Sequence, residues 1–200
     1  AIREMGVSHI WYTGVIRHAT QTDYSAYGIP RQHPAVVKGR AGSPYAVTDY
    51  YDIDPDLATD VNKRMQEFER LVERTHKAGM KVIIDFVPNH VARQYHSVCK
   101  PEGVKDLGED DNPQLGFDPQ NNFYYCPGER FSPYFDLYHG EAQPYIEEPA
   151  KATGNDCFHN APGMNDWYET VKLNYGVDYY AGRVGHFNPV PDTWSKMTDI

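Results

Sequence analysis

The sequence predicts an α/β fold, namely part of a (β/α)8 TIM barrel from which a small irregular domain projects. Two runs predict parallel strands. Lys81–Phe86 is apolar and β-branched, as in a strand buried on both faces of a sheet, and Val7–Ile16 is rich in β-branched and aromatic residues. An amphipathic helix is predicted between them. Because strand, helix and strand in this order form a βαβ unit, we expect two adjacent units of a barrel.

The first strand is expected to be buried, because the apolar residues Ile10–Tyr12 stand at its centre, and to end near Gly14. Glycine and proline then interrupt residues 17–44 repeatedly, which predicts a long loop that leaves the C-terminal end of the strand. Loops of this length in compact domains are usually functional.

The helix is predicted from Thr59, which suits an N-cap, to about Ala78, where Gly79 stops it. Apolar side chains recur at spacings of three and four residues between Val61 and Thr75. This spacing is typical of an amphipathic helix, and it connects the two predicted strands.

Residues 91–190 differ in composition from the chain before them. Glycine and proline are scattered throughout, aromatic residues are dense, and most of the region has no helical pattern. Since a structureless loop of this length is unreasonable in a compact domain, we predict a small inserted domain with short strands. The predicted organisation is a barrel part over 1–90, the inserted domain over 91–190, and a return to a barrel helix over 191–200, capped by Asp192 or Thr193.

The composition indicates a folded chain whose partners are neutral. The 200 residues carry a net charge of −9 without a run of Lys and Arg, which excludes nucleic acid as a partner and disfavours acidic substrates. Cys99, Cys126 and Cys157 lack zinc-like spacing and allow at most one disulfide. No apolar run reaches the ~20 residues that cross a bilayer, so no membrane-spanning segment is predicted.

A buried strand that ends in an acid, an amide and an imidazole is a favourable place for chemistry. Asp85 lies at the end of the second predicted strand and Asn89 and His90 follow it, and catalytic residues of barrels lie at the C-terminal ends of strands. The segment DFVPNH, at Asp85–His90, resembles the first conserved stretch of the alpha-amylase family, glycoside hydrolase family 13. The segments VSHIWYTG, PYAVTDYYDIDPDLAT, HKAGMKVIIDFVPNH and NPVPDTW occur in the family's order.

The resemblance implies a barrel in which the two predicted strands are the second and third, with the small domain inserted after the third. It also implies retaining hydrolysis of α-glucosidic, mainly α-1,4, bonds in starch-like glucans, through a nucleophile and an acid about 5–5.5 Å apart. In the family these carboxylates follow the fourth and fifth strands, so we expect them outside the 200 residues. The expected partner is an α-glucan oligo- or polysaccharide, and the expected location is secreted, periplasmic or on the cell surface.

The resemblance assigns roles to four residues. His90 is expected to hydrogen-bond the sugar next to the scissile bond, serving both substrate binding and catalysis. Tyr45 is expected to stack on the same sugar, because a pyranose has an apolar face of C–H groups. Asp49 and Asp85 are expected to be supporting carboxylates that brace the site.

Ala46 bears on the mode of action. In the family's exo-acting glucosidases the residue after the stacking tyrosine is commonly Asp, which closes the pocket. Ala46 has no carboxylate with which to close the pocket, so we expect an open cleft and an endo-acting alpha-amylase. Two alternatives stay open: a transglycosylase or exo-glucosidase that acts on short α-glucosides, and a non-catalytic carbohydrate-binding relative.

Calcium is the one cofactor that the resemblance suggests, with Asn89 as the candidate ligand. Many members bind Ca²⁺ through an Asn at this position and an Asp where this chain has Trp194, and an indole does not ligate a hard cation. The acidic run 106–112 offers other oxygen ligands, although charge runs are usually solvated faces. No cofactor is therefore certain from the sequence.

Overall fold

The computed structural model describes residues 2–184 and 188–200, and all its helices and strands lie within these ranges. The first half of the chain contains β1 His9–Tyr12, β2 Ile16–His18, β3 Val47–Ile53, α1 Arg64–Lys77 and β4 Lys81–Ile84. The second half contains β5 His90–Ala92, β6 Tyr125–Cys126, β7 Ala150–Lys151, β8 Thr170–Lys172, β9 Val177–Asp178, β10 Arg183–Val184 and α2 Asp192–Asp199. Within these ranges, no helix has the length and apolar character that a membrane span requires.

β1 and β4 pair in parallel, with His9 opposite Lys81 and Tyr12 opposite Ile84. This pairing confirms the predicted unit, in which α1 lies between two parallel strands along the chain. The Tyr12 hydroxyl lies 3.1 Å from Thr75 Oγ1 of α1, which joins the helix to the sheet. The C-terminal ends of β1 and β4 therefore meet at one edge.

The prediction that β1 and β4 are buried is wrong for this chain. Trp11 is 64% exposed, and Ile83 and Ile84 are 46% and 43% exposed. A strand is buried on both faces only when layers cover both sides of a wider sheet. Among the described residues this sheet has two strands, so most of its apolar side chains lack a covering layer.

β1 ends at Tyr12, so its predicted end near Gly14 is confirmed, and Ile16 begins the next strand. Gly14 has a left-handed φ of +63°, and a Cβ there would lie 2.6 Å from the Cβ of Pro44. The next strand, β2, pairs antiparallel with β3, which lies outside the predicted elements. The β3 sequence, VTDYYDI, is β-branched and aromatic, so a strand signal is present there.

α1 begins at Arg64, so the prediction of Thr59 as its N-cap is wrong. Asp60 caps a preceding 3-10 turn instead, because its side chain accepts a hydrogen bond of 3.1 Å from the Asn62 amide. The predicted stop is confirmed, since Gly79 follows the helix with a left-handed φ of +75°.

α2 lies within the predicted 191–200 helix, but neither predicted cap residue caps it. Pro191 occupies the N-cap position, and no side-chain cap hydrogen bond forms. Asp192 is the first helical residue, and its carboxylate contacts Lys196 Nζ one turn further along at 3.1 Å. Met197 packs into the core and anchors the helix.

The described residues between β5 and α2 form short strands. β5 pairs antiparallel with β8, which places His90 opposite Lys172, and β6 pairs with β7. Val91 and Val171 are 0% exposed, and they share one core with Val47 of β3. His90 is therefore a strand residue held by the second half of the chain, although it follows β4 closely in sequence.

Candidate active site

Asp85 follows β4 directly and joins two aromatic side chains. Its Oδ1 accepts a hydrogen bond from the Trp11 indole N–H at 2.5 Å, and its Oδ2 accepts one from the Tyr45 hydroxyl at 3.2 Å. The parallel pairing of β1 and β4 brings Trp11 to this edge, and the loop after β2 returns Tyr45 to it. The structure thus brings the predicted residues Tyr45 and Asp85 into direct contact.

Tyr45 combines a fixed hydroxyl with an exposed ring. The side chain is 40% exposed, although its tip is bonded to Asp85. That hydrogen bond, together with the negative charge of Asp85, raises the pKa of Tyr45, so the phenol stays protonated and donates. An aromatic ring held in this way offers a ligand a flat apolar surface.

Asn89 fixes the tautomer of His90. Asn89 Nδ2 lies 3.1 Å from the Gly154 carbonyl oxygen, which only accepts hydrogen bonds, so this atom is the amide nitrogen. The same nitrogen lies 2.8 Å from His90 Nδ1, which is therefore the unprotonated acceptor. In the neutral ring the proton is then on Nε2. His90 has one N–H group with which to donate.

The surroundings of His90 keep its imidazole neutral. His90 is 6% exposed, and this burial is the main cause that lowers its pKa. The ammonium of Lys172 lowers the pKa further, while the backbone carbonyl of Tyr45 accepts a hydrogen bond from the ring and acts in the opposite direction. This last interaction places the backbone of Tyr45 next to the His90 ring.

Asp49 lies in a different cluster from the other predicted site residues. Its fully buried carboxylate pairs with Arg17 Nη2 at 3.0 Å and accepts a hydrogen bond of 2.6 Å from Ser97 Oγ. It also accepts from the backbone N–H groups of Val98 and Cys99, at 2.8 and 3.2 Å. Asp49 therefore ties β3 to the segment after β5, and none of these partners is His90, Tyr45 or Asp85.

Four neighbours of the site are absent from the sequence predictions: Trp11, Gly154, Trp167 and Lys172. Trp11 has a usable signal, because it stands near the C-terminal end of a strand predicted to be parallel to β4. The other three are distant from His90 in sequence and lie in short or irregular segments, which leave no periodic pattern to read. Their positions follow from tertiary packing alone.

The surroundings of Asn89 do not fit a calcium ion. Its amide nitrogen donates to the Gly154 carbonyl and to His90, so its side chain can offer only Oδ1, whereas Ca²⁺ requires six to eight oxygen ligands. The ammonium of Lys172 is near enough to His90 to lower its pKa, and it pairs with Asp156 at 2.5 Å. A positive charge supplied by the chain is therefore already present beside this strand.

Three other acidic groups are also paired with cations of the protein. Asp49 and Asp52 come close together, but Arg17 contacts them at 3.0 and 3.1 Å. In the acidic run, Asp106 pairs with Lys100 at 3.1 Å. The charge of these carboxylates is thus already balanced by protein donors.

Comparison with known proteins identifies the family. The profile of the alpha-amylase catalytic domain matches residues 1–125. The chain belongs to the alpha-amylase family. The resemblance of the DFVPNH segment to this family is therefore confirmed, and family membership implies that the chain is part of a TIM barrel. The described sheets have two strands each, and a closed barrel is not among them.

The proteins to which this chain is similar carry names that indicate different functions. Alpha-amylase 2 of Dictyoglomus thermophilum is 24% identical over 194 residues, which cover 92% of this chain and 29% of that protein. An alpha-glucosidase of Culex pipiens is 32% identical over 83 residues, covering 40% of this chain and 13% of that protein. An amino acid transporter heavy chain of Rattus norvegicus is 45% identical over 51 residues, covering 26% and 7%. The chain spans less than a third of the length of each.

Proposed function

We propose that the protein is a retaining glycosidase of the alpha-amylase type, which hydrolyses α-glucosidic bonds, mainly α-1,4 bonds, in starch-like glucans. Membership of the alpha-amylase family supports this proposal. The observation that carries it is the position of a neutral, N–H-donating His90 beside Tyr45, whose ring is exposed. A stacking surface next to a hydrogen-bond donor suits a neutral sugar, which has an apolar C–H face and a rim of hydroxyl groups.

In this proposal His90 and Tyr45 bind the sugar whose bond is cleaved. Tyr45 stacks on the C–H face, while Asp85 holds the tyrosine by its hydroxyl. When a sugar binds, His90 donates from Nε2 to one of its hydroxyl groups in place of the Tyr45 carbonyl, which accepts from the ring in the free chain. The new hydrogen bond strengthens as the sugar becomes oxocarbenium-like. An interaction that strengthens in the transition state raises kcat. The bond-breaking carboxylates belong to other segments of the family's barrel, so these residues bind and orient.

We assign β1 and β4 to the second and third strands of an eight-stranded barrel, and residues 91–190 to the inserted domain. The parallel register of β1 and β4 supports this assignment, as does the position of Asp85 immediately after β4. An experimental structure of the complete protein tests it, since any other strand order would refute it.

Endo action on long glucans is the mode that we propose. Ala46 is 1% exposed and packs in a small apolar cluster with Ala19, Val37 and Ala92. The chain therefore presents no carboxylate at this position to close a pocket around a chain end. The test is to follow the products that the complete protein releases from amylose. A mixture of oligosaccharides is expected first, and free glucose as the only early product would contradict an open cleft.

Two other functions are supported by particular comparisons. The similarity to an alpha-glucosidase favours exo-hydrolysis or transglycosylation of short α-glucosides. The similarity to an amino acid transporter heavy chain favours a non-catalytic relative that binds carbohydrate or a partner protein. Incubation with maltotriose separates them: glucose release indicates an exo-glucosidase, products longer than the substrate indicate transfer, and binding without turnover indicates a non-catalytic protein.

The proposed location is outside the cytoplasm, in the medium, the periplasm or on the cell surface. The reason is the proposed substrate, because a polymeric glucan does not enter a cell. Fractionation of cells that produce the complete protein tests this, and recovery of the protein only from the cytoplasm would contradict it.

A further inference from the structure

We propose that Trp167, in the second half of the chain, contacts the α-glucan and forms with Tyr45 a pair of aromatic surfaces beside His90. This inference rests on the proposed function, and it adds a substrate-contacting residue to it. Trp167 lies between the segments DFVPNH and NPVPDTW, outside the stretches that carry the family resemblance.

The first observation is the position of the indole. The ring centroids of Trp167 and His90 are 5.2 Å apart, with an interplanar angle of 60°. His90 is 6% exposed, whereas Trp167 is 43% exposed. The indole thus helps to bury the imidazole while part of its own surface stays open to a ligand. A sugar that accepts a hydrogen bond from His90 would therefore lie next to Trp167.

The second observation is that the backbone of Trp167 is held firmly. Its N–H donates to Asn155 Oδ1 at 3.0 Å, and its carbonyl accepts from both the N–H and the hydroxyl of Thr170 at 2.9 Å. Thr170 Oγ1 in turn accepts from the Gly154 N–H at 3.1 Å. A surface that is ordered before the ligand arrives costs less conformational entropy on binding.

Gly154 explains how this segment reaches the site. A Cβ at this position would lie 2.8 Å from His90 Cγ and 2.6 Å from Thr170 Oγ1, so only glycine allows the two chain segments to come so close. The same residue supplies the carbonyl that orients Asn89. The contacts that set the tautomer of His90 therefore also place Trp167 beside it.

The third observation distinguishes Trp167 from the other two tryptophans. The Trp11 indole N–H donates to Asp85, and the Trp194 indole N–H donates to the Tyr175 carbonyl at 3.3 Å. Within the part of the chain that the structure describes, the indole N–H of Trp167 has no hydrogen-bond acceptor. This group and the exposed ring face suit a ligand with both hydroxyl groups and a C–H face, which is the chemistry of a sugar.

The test compares tryptophan variants of the complete protein. Trp167→Phe keeps an aromatic ring but loses the N–H group, and Trp167→Ala loses both. Trp194→Phe is the matched control, because Trp194 is 50% exposed on α2 and its N–H is already bonded. Two readouts are measured: kcat/KM on maltotriose and amylose, and the quenching of tryptophan fluorescence when maltotriose is mixed with the protein.

We expect kcat/KM to fall about tenfold in Trp167→Ala and less in Trp167→Phe. The maltotriose-induced quenching should shrink in Trp167→Phe and remain in Trp194→Phe. If Trp167→Phe changes neither the quenching nor kcat/KM, the inference about Trp167 is wrong. The proposed function still stands in that case, provided that the wild-type protein hydrolyses the substrates. A wild-type protein that neither hydrolyses nor binds maltotriose and amylose would contradict the proposed function, and this inference with it. If Trp167→Ala does not fold, Trp167→Phe alone provides the test.

Discussion

The two sides of the candidate site are built in different ways. On the β4 side, Asp85 and Tyr45 stand next to a two-stranded sheet whose Ile83 and Ile84 are more than two-fifths exposed. On the β5 side, His90 is followed by Val91, which is 0% exposed. One side relies on hydrogen bonds between exposed side chains, and the other is embedded in a packed core.

This difference shows where the precision of the site comes from. The rotamer and tautomer of His90 are set within the chain by Asn89, Gly154 and Lys172. The side chain of Tyr45 is oriented by one carboxylate, that of Asp85. Asp85 follows a two-stranded sheet that is largely uncovered in the described residues. We therefore expect substitutions on the β5 side to have the larger effects, because its groups are buried and interlocked.

The largest expected effect is that of His90→Ala in the complete enzyme. Removing a hydrogen bond that strengthens in the transition state should lower kcat by about 100-fold and change KM less. Steady-state kinetics on amylose and maltotriose measure this. His9→Ala is the matched control on the β4 side, because His9 is exposed and bonds only its neighbour Ser8 in the described structure. An unchanged kcat in His90→Ala would refute the proposed role.

The next effect is that of Gly154→Ala, which tests the packing of the β5 side directly. The added Cβ would lie 2.8 Å from His90 Cγ, so we expect a loss of about 1–3 kcal/mol in the free energy of unfolding, together with reduced activity. Gly163→Ala is the matched control, because the nearest atom to its Cβ would be Asp166 Oδ2 at 3.6 Å, an ordinary contact. Urea denaturation of both variants measures the difference, and equal stability would show that the contact at Gly154 relaxes freely.

The same contrast explains how far the sequence could predict the structure. The parallel pairing of β1 and β4 was predictable, because two apolar runs flank a helical pattern. The burial of these two strands was not predictable, because the apolar pattern of a strand does not show whether other layers of the protein cover it. The stop of α1 at Gly79 follows from local chemistry. Its start depends on two carboxylates that bind different backbone N–H groups before the helix: Asp60 accepts from Asn62, and Glu67 accepts from Asp60.

The candidate site divides in a similar way. The contact of Tyr45 with Asp85 is reachable from the sequence, because Asp85 lies at the end of one predicted strand and Tyr45 follows the long loop that leaves the end of the other. The contacts of His90 with Gly154 and Trp167 are not, because short strands in an irregular region carry no periodicity that would reveal their pairing. The resemblance names His90, but it does not show what holds it.

A smaller effect is expected from pH, through His90. Its folded pKa lies below the usual 6.5 because of burial and Lys172, so below pH 6.5 the unfolded chain binds a proton before the folded chain does. The contribution of His90 to stability is therefore constant above pH 6.5 and falls as the pH drops through the window below it. His90→Gln is the reference, because glutamine does not bind a proton in this pH range. The wild-type Tm minus the variant Tm should decrease between pH 7.5 and 5, and a constant difference would contradict the lowered pKa.

The smallest expected effect is that of a calcium chelator on the complete protein. The strand that carries Asn89 and His90 already has a cation beside it, because Lys172 pairs with Asp156 at 2.5 Å and sits opposite His90. A calcium ion there would face the repulsion of this ammonium and would need several oxygen ligands besides Asn89 Oδ1. We therefore expect EDTA to leave the Tm unchanged, with a magnesium-saturated EDTA sample as the control. A Tm lowered by several degrees and restored by added calcium would show that oxygen ligands from elsewhere in the complete protein bind the ion, and that rigidity on the β5 side does not come from this chain alone.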